Sequence, residues 1–260
     1  MKETVRTLTW ETGDGTSVPV FVREIAGGDP GPTLVVIAGE HGIELNGPAG
    51  IDALCRELAP RRFRGTLLAV PTVAPVNVAY RNHTLGQPRG EPYTYEMPYN
   101  SYMKWPGDPA GDPAERLAHL VWTEVVARAD MLVNFHCWQI NSASCYFSSD
   151  RVAGMRELAA NFGIPFYDVV SYTSPELGAR SLHGRLLAAG KRAALVEMQS
   201  QWWIDPRSMA RVRQGVLNTM ATLGMTDDRI VRSSPQFPVG RKETLVRAPH
   251  AGLYVPLLDI

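Results

Sequence analysis

Leu34-Val35-Val36-Ile37-Ala38 is a run of apolar, mostly β-branched residues, and it stops at once in Gly39-Glu40-His41-Gly42-Ile43-Glu44. The run reads as a buried strand. Gly39 breaks it, and a helix-like stretch follows from about residue 47 to residue 58. His41 and Glu44 therefore belong to the turn at the carboxyl end of a strand, the edge where open α/β sheets place their ligands. An imidazole and a carboxylate three positions apart in a glycine-lined turn can converge on one point. Together they offer zinc one nitrogen and one or two oxygens. The competing reading is a polar turn that caps the next helix.

The rest of the chain extends the pattern. Residues 4–10 and 17–24 read as two strands around Gly13-Asp14-Gly15, and residues 27–32 as a Gly/Pro loop. A helix over 49–58 stops near Pro60, and Gly65-Thr66-Leu67-Leu68-Ala69-Val70 is another buried strand ended by Pro71. Strand, turn, helix and strand begin a parallel sheet. Helices are expected over 112–127, 152–162, 182–189 and 206–223. Met131-Leu132-Val133-Asn134-Phe135-His136 and Arg192-Ala193-Ala194-Leu195-Val196-Glu197 are further buried strands, with a short one over 165–170. Residues 71–113 lose regular periodicity but carry Tyr80, Tyr93, Tyr95, Tyr99, Tyr102 and Trp105. So many aromatics argue against disorder, and the segment reads as a loop folded over a site. Composition changes after Gly224; residues 233–238 read as a linker, with strands at 244–247 and 252–255.

A chain of 260 residues with no formal net charge, 45% hydrophobic and 20% charged, has the composition of a soluble enzyme. The charge balance argues against nucleic acid or a membrane surface as the main partner. No run approaches the roughly 18 apolar residues of a membrane span. Cys55, Cys137 and Cys145 are too few and scattered for a disulfide framework, so the expected setting is cytoplasmic. The expected partner is a small-molecule substrate, and nothing in the composition opposes a homo-oligomer.

Three strand ends now carry His41 with Glu44, then His136, then Glu197. Parallel strands bring their carboxyl ends to one edge, so these residues can meet despite their separation. Two His and one Glu with a fourth position open form a catalytic zinc set, one ion per chain. Glu197 is then placed to move a proton between water and a leaving amine.

These residues resemble the succinylglutamate desuccinylase and aspartoacylase family, zinc amidohydrolases related to the zinc carboxypeptidases. The resemblance runs over residues 32–225. Gly39-Glu40-His41-Gly42-Ile43-Glu44 matches the family's G-x-H-G-x-E, which supplies two zinc ligands. Asn134-Phe135-His136 lies at its D-x-H, which supplies the third, and Val196-Glu197 at its catalytic glutamate. Val70-Pro71 with Ala74-Pro75 resembles V-P-x-x-N-P, and Trp105-Pro106-Gly107 resembles F-P-G. The resemblance implies a mixed, mainly parallel sheet flanked by helices over 1–225 and a small β segment, partial or truncated, over 226–260.

The departures concern the substrate. Where the family has D-L-N-R, whose Asn-Arg pair holds a substrate carboxylate, this chain reads Asn100-Ser101-Tyr102-Met103. The forked donor set of an arginine is missing there. The Asp two before the third ligand is Asn134, expected to keep hydrogen bonding and lose the charge. Arg81 is the candidate catalytic-site cation and Arg180 a candidate substrate contact, with Arg89, Lys104 and Arg185 as weaker ones. Trp138, Trp202 and Trp203 either line an acyl pocket or pack in the core, and Tyr102 stands in the loop facing the site. His83 and His183 are candidate extra ligands but read first as ordinary polar residues, and Cys137 as pointing to the opposite face of its strand. The expected activity is removal of an acyl group from a small N-acyl amine or amino-acid derivative. The alternatives are a zinc carboxypeptidase and a non-catalytic metal- or ligand-binding module.

Overall fold

The computed structural model describes residues 2–86, 96–97, 99–138, 143–169 and 180–239. Strands β1 (Lys2–Glu11), β2 (Ser17–Ala26), β3 (Gly28–Ala38), β4 (Phe63–Val70), β5 (Met131–Cys137), β6 (Cys145–Phe147), β7 (Phe166–Asp168), β8 (Arg192–Met198) and β9 (Phe237–Pro238) form one sheet. Their order is β1-β2-β4-β3-β5-β8-β6-β7-β9. The centre, β4-β3-β5-β8, is parallel, β1 and β2 run antiparallel to their neighbours, and β6 is antiparallel to β8 but parallel to β7. The expected mixed, mainly parallel sheet is therefore the observed one.

The helices are α1 (Asn46–Leu58), α2 (Pro75–Ala79), α3 (Pro113–Glu124), α4 (Met155–Asn161), α5 (Leu182–Ala188) and α6 (Pro206–Thr222). In α1 the buried Ile51, Leu54, Cys55 and Leu58 recur at helical spacing, so one face meets the sheet. Helix α3 starts where Asp112 and Glu115 each accept the other's backbone N–H, with Pro113 in the first turn. Asp205 caps α6 without that reciprocity, its side chain accepting from the Arg207 and Ser208 N–H groups. No helix among the described residues is long and apolar enough to cross a membrane.

Alternation along the central strands sorts the core into two layers. Val36, Ala38, Val133, Phe135, Ala194 and Val196 face α1, α4 and α6. Val35, Ile37, Leu68, Leu132 and Ala193 face α3 and α5, which contribute Leu117, Val121, Leu182 and Leu186. At the carboxyl edge of this second layer the same alternation continues into Asn134, His136 and Glu197. Ile37 pairs with Asn134, and His136 with Glu197. Cys137 packs in the opposite layer, as its position predicts.

Some local expectations change. Of the loop read over 27–32, residues 28–32 instead extend β3 at its start, with an irregular register between Asp29 and Thr33. The loop 71–113 contains helix α2, opened by Pro75 in its first turn. Strand β6 was not anticipated, because three residues are too few for a period, and β9 lies inside the stretch read as linker. The strands expected at 244–247 and 252–255 lie outside the described residues, as does Arg89.

Candidate metal centre

The site begins at the end of β3. Gly39 adopts φ 71°, a left-handed conformation that side chains disfavour, and turns the chain out of the strand. The loop after β4 locks this turn: Val73 N–H donates to Ala38 O at 2.9 Å and Ala74 N–H to Gly39 O at 2.9 Å. Gly42 N–H donates to Asn82 O at 3.0 Å, and a Cβ at Gly42 would overlap Asn77 O. A glycine is thus required where the loop crosses the turn.

His41, Glu44 and His136 come together, all buried, with one donor atom from each lying within 4.8 Å of the others. His41 Nδ1 is 2.9 Å from Glu44 Oε1. His136 Nδ1 is 3.3 Å from His41 Nδ1 and 3.0 Å from Glu44 Oε2. Four-coordinate zinc with bonds of about 2.0–2.2 Å separates its ligands by about 3.3–3.6 Å. The 3.3 Å between the two ring nitrogens matches that spacing, the 2.9 and 3.0 Å to the carboxylate are shorter, and the donor set, two imidazoles beside a carboxylate, fits zinc in its chemistry. Burial pushes the Glu44 carboxyl up, but the two imidazoles outweigh it and hold the group below the usual range. Burial pushes His136 down, but Glu44 and Glu40 outweigh it and raise its pKa well above the usual imidazole value.

Glu197 stands beside His136 in register. It is partly exposed, and its Oε2 is buried without a hydrogen-bond partner. Burial pushes its carboxyl up to about 8; His136 opposes the shift, Glu44 adds to it, and a hydrogen bond from the Trp138 side chain lowers it.

The loop covers this edge. The Tyr102 ring lies 5.8 Å from the His41 ring and 5.1 Å from the His136 ring, centroid to centroid. Trp138 is 41% exposed and lies 5.6 Å from Phe147, while Trp202 and Trp203 are exposed on the segment after β8. These three tryptophans are thus surface rings at the strand ends and not core. Arg81 is exposed on the turn after α2 at φ 50°. Arg180 donates to Met103 O at 3.1 Å and to Glu96 at 3.1 Å, bonds that brace the loop instead of reaching the three clustered side chains. Arg185 donates to Trp105 O at 2.9 Å, another brace.

Three further residues belong to the site: Gln201 and Glu40, which the sequence reading does not single out, and His83, which it reads first as an ordinary polar residue. His83 stacks on His41 with ring centroids 3.9 Å apart, and its Nε2 is 3.7 Å from Glu44 Oε1. Burial pushes its imidazole down to about 3, with His41 adding to the shift. Gln201 donates to Cys137 O at 2.8 Å and approaches Glu44 Oε1 at 3.4 Å. Its segment is fixed by Asn46, which donates to Gln199 O at 2.7 Å and accepts from Asp205 N–H at 2.7 Å. The third is Glu40, fully buried, whose Oε2 accepts from His136 Nε2 at 3.0 Å and from Asn134 Nδ2 at 2.8 Å. A charged residue between two glycines and a ligand was the available signal for it. Asn134 accordingly acts as a donor, and its Oδ1 has no partner. The expectation that Asn134 keeps an acceptor's hydrogen bond is corrected: it donates through Nδ2 and carries no charge, and the charge beside the ligand comes from Glu40. His183 is buried in α5, and burial pushes it down to about 3.

Known proteins agree with this architecture. The family model of the succinylglutamate desuccinylase/aspartoacylase catalytic domain matches residues 30–223. An N-alpha-acetyl-L-2,4-diaminobutyric acid deacetylase from Halomonas elongata is 24% identical over 234 residues, which cover 86% of this chain and 65% of that protein. This chain thus spans just under two thirds of its curated relative. The product-bound structure of the ectoine utilization protein EutE (DoeB) from Ruegeria pomeroyi superimposes with a TM-score of 0.76 at 18% identity, covering 91% of this chain and 71% of that one. A succinylglutamate desuccinylase/aspartoacylase from Rhodobacter sphaeroides gives 0.74 at 18% identity, covering 90% and 69%. With the fold, the order of its motifs and the family match in agreement, the chain belongs to the succinylglutamate desuccinylase/aspartoacylase family.

Proposed function

We propose that this chain is a zinc-dependent amidohydrolase that removes an acyl group from a small N-acyl amine or amino-acid derivative. The observation that carries this reading is the convergence of His41, Glu44 and His136 beside Glu197 on one sheet edge. His41 and His136 would hold the ion through Nδ1, and Glu44 through its carboxylate. A zinc ion bound there supplies Lewis acidity toward the amide carbonyl and acidifies a water.

Glu197 then takes a proton from the attacking water and delivers it to the amine nitrogen as the C–N bond breaks. Its buried Oε2, without a hydrogen-bond partner among the described residues, supports that role, because burial raises the affinity of the group for the proton it must carry. Tyr102 and Trp138 form walls against which the acyl group or amine packs. Arg81 has no ion-pair partner among the described residues and is the cation assigned to an anionic part of the substrate. Arg180 is assigned a contact at the rim, reached from its brace on the loop.

A carboxypeptidase needs a cation for a terminal carboxylate, and Tyr102-Met103, which stand where the family has its Asn-Arg pair, supply none. That observation ranks peptidase activity second. The test is metal analysis of the purified protein together with hydrolysis of a panel of N-acyl amines, with and without a carboxylate. The panel includes an N-acetylated diamino acid, because the Halomonas elongata relative is named for one. One zinc with no hydrolysis of any member would favour the binding-module reading.

A further inference from the structure

Glu40 makes more contacts than a residue beside a ligand needs for packing. Its Oε2 accepts from His136 Nε2 at 3.0 Å and Asn134 Nδ2 at 2.8 Å. Its Oε1 accepts from Ser101 Oγ at 3.1 Å and Trp105 Nε1 at 3.0 Å. Four donors thus meet one carboxylate that has no exposed surface. Burial pushes the Glu40 carboxyl up, but His136 and Asn134 outweigh it and hold it below the usual range. A buried charge is retained only when it is paired and hydrogen-bonded, and this one is both.

The geometry has two consequences. With Nε2 directed at Glu40, the other nitrogen of His136 faces Glu44 and His41. A carboxylate on the far nitrogen of a ligating imidazole fixes its tautomer and ring orientation. Moreover, Asn134 stands at a place where an aspartate would set a second carboxylate 2.8 Å from the first. Like charges at that distance cannot both stay ionised without cost.

We infer that Glu40 is the positioning residue of His136, that Asn134 is its obligatory neutral donor, and that Ser101 and Trp105 fasten the loop to the same carboxylate. The identity of residue 134 then depends on residue 40: one of the two carries the charge, and the other donates to it. The part of this inference that concerns metal affinity rests on the zinc reading proposed above; the part that concerns the ring does not. Glu40 touches neither substrate nor reacting atoms here, so its effect passes through His136.

The experiment uses the full chain with Glu40→Gln, Asn134→Asp and the double exchange. Zinc affinity is read by competition with a chromogenic chelator. The His136 ring is read by 1H–15N correlation, in metal-free and zinc-loaded protein. Glu40→Gln should weaken zinc by the roughly 10–100-fold typical of a lost outer partner. Asn134→Asp should weaken it as well, and the double exchange should bind more tightly than either single variant, because the charge is restored with the donor reversed. The His136 Nε2–H signal should exchange slowly in the parent and shift in Glu40→Gln, with or without zinc. Zinc affinity of Glu40→Gln within about two-fold of the parent, or a double variant no better than the singles, would overturn the inference. A parent that binds no zinc but keeps a Glu40-dependent Nε2–H signal would remove the metal reading and leave Glu40 in its role. If Glu40→Gln does not fold, Trp105→Phe removes a single Oε1 donor and keeps an aromatic ring. It should lower zinc affinity several-fold, and an unchanged affinity overturns the inference.

Discussion

Replacing Glu197 by Gln should move activity and stability in opposite directions. Gln keeps the shape and an acceptor for Trp138 but cannot take a proton. Loss of a positioned acid–base group lowers the rate by roughly 10²–10⁴-fold, or about 2.7–5.5 kcal/mol of barrier. The stability effect follows from burial. An ordinary carboxyl titrates at 4.5, and burial raises this one to about 8. Folding therefore favours the protonated form, and the stability fully present below about pH 4.5 is lost as pH rises toward 8. At pH 7 the cost has a ceiling of about 3 kcal/mol. Gln does not titrate, so metal-free Glu197→Gln should melt above the metal-free parent at pH 7, by about 6–12 °C at most, and the two should converge near pH 4. The assays are thermal melts with a chelator across this pH range and turnover of an accepted amide by zinc-loaded protein. Turnover within a few-fold of the parent would remove Glu197 from the chemistry. A melting difference that does not shrink toward acid pH would refute the burial reasoning.

Chelation should abolish hydrolysis and added zinc restore it; elemental analysis should find about one zinc per chain in the parent and far less in Glu44→Ala. Phe135→Ala should cost about 3–5 kcal/mol in denaturant unfolding, because the ring is fully buried in the sheet–helix core, 6.2 Å from the ring of Phe162. N-acetylaspartate and succinylglutamate should be poor substrates, since Asn100-Ser101-Tyr102-Met103 supplies no forked cation; efficient turnover of either in a steady-state assay would contradict that.

The sequence by itself determined which residues stand at strand ends. Alternation and abrupt glycine stops are local signals, and they were enough to single out His41, Glu44, His136 and Glu197. They also sent Cys137 to the other layer, where it packs. The start of β3 and strand β6 escaped because Gly and Pro mask a strand and three residues show no period. Tertiary structure alone decided who meets whom at that edge. Whether Glu40 points into the site depends on the left-handed Gly39 and on the loop stitched across it. Its partners lie 61 to 96 positions away, so no local pattern pairs them. His83 could be told from a surface histidine only once the loop had laid its ring on His41. A hydrogen bond is selective over a few tenths of an ångström, and that precision comes from strand register and loop seating, which a linear pattern of residue types does not encode.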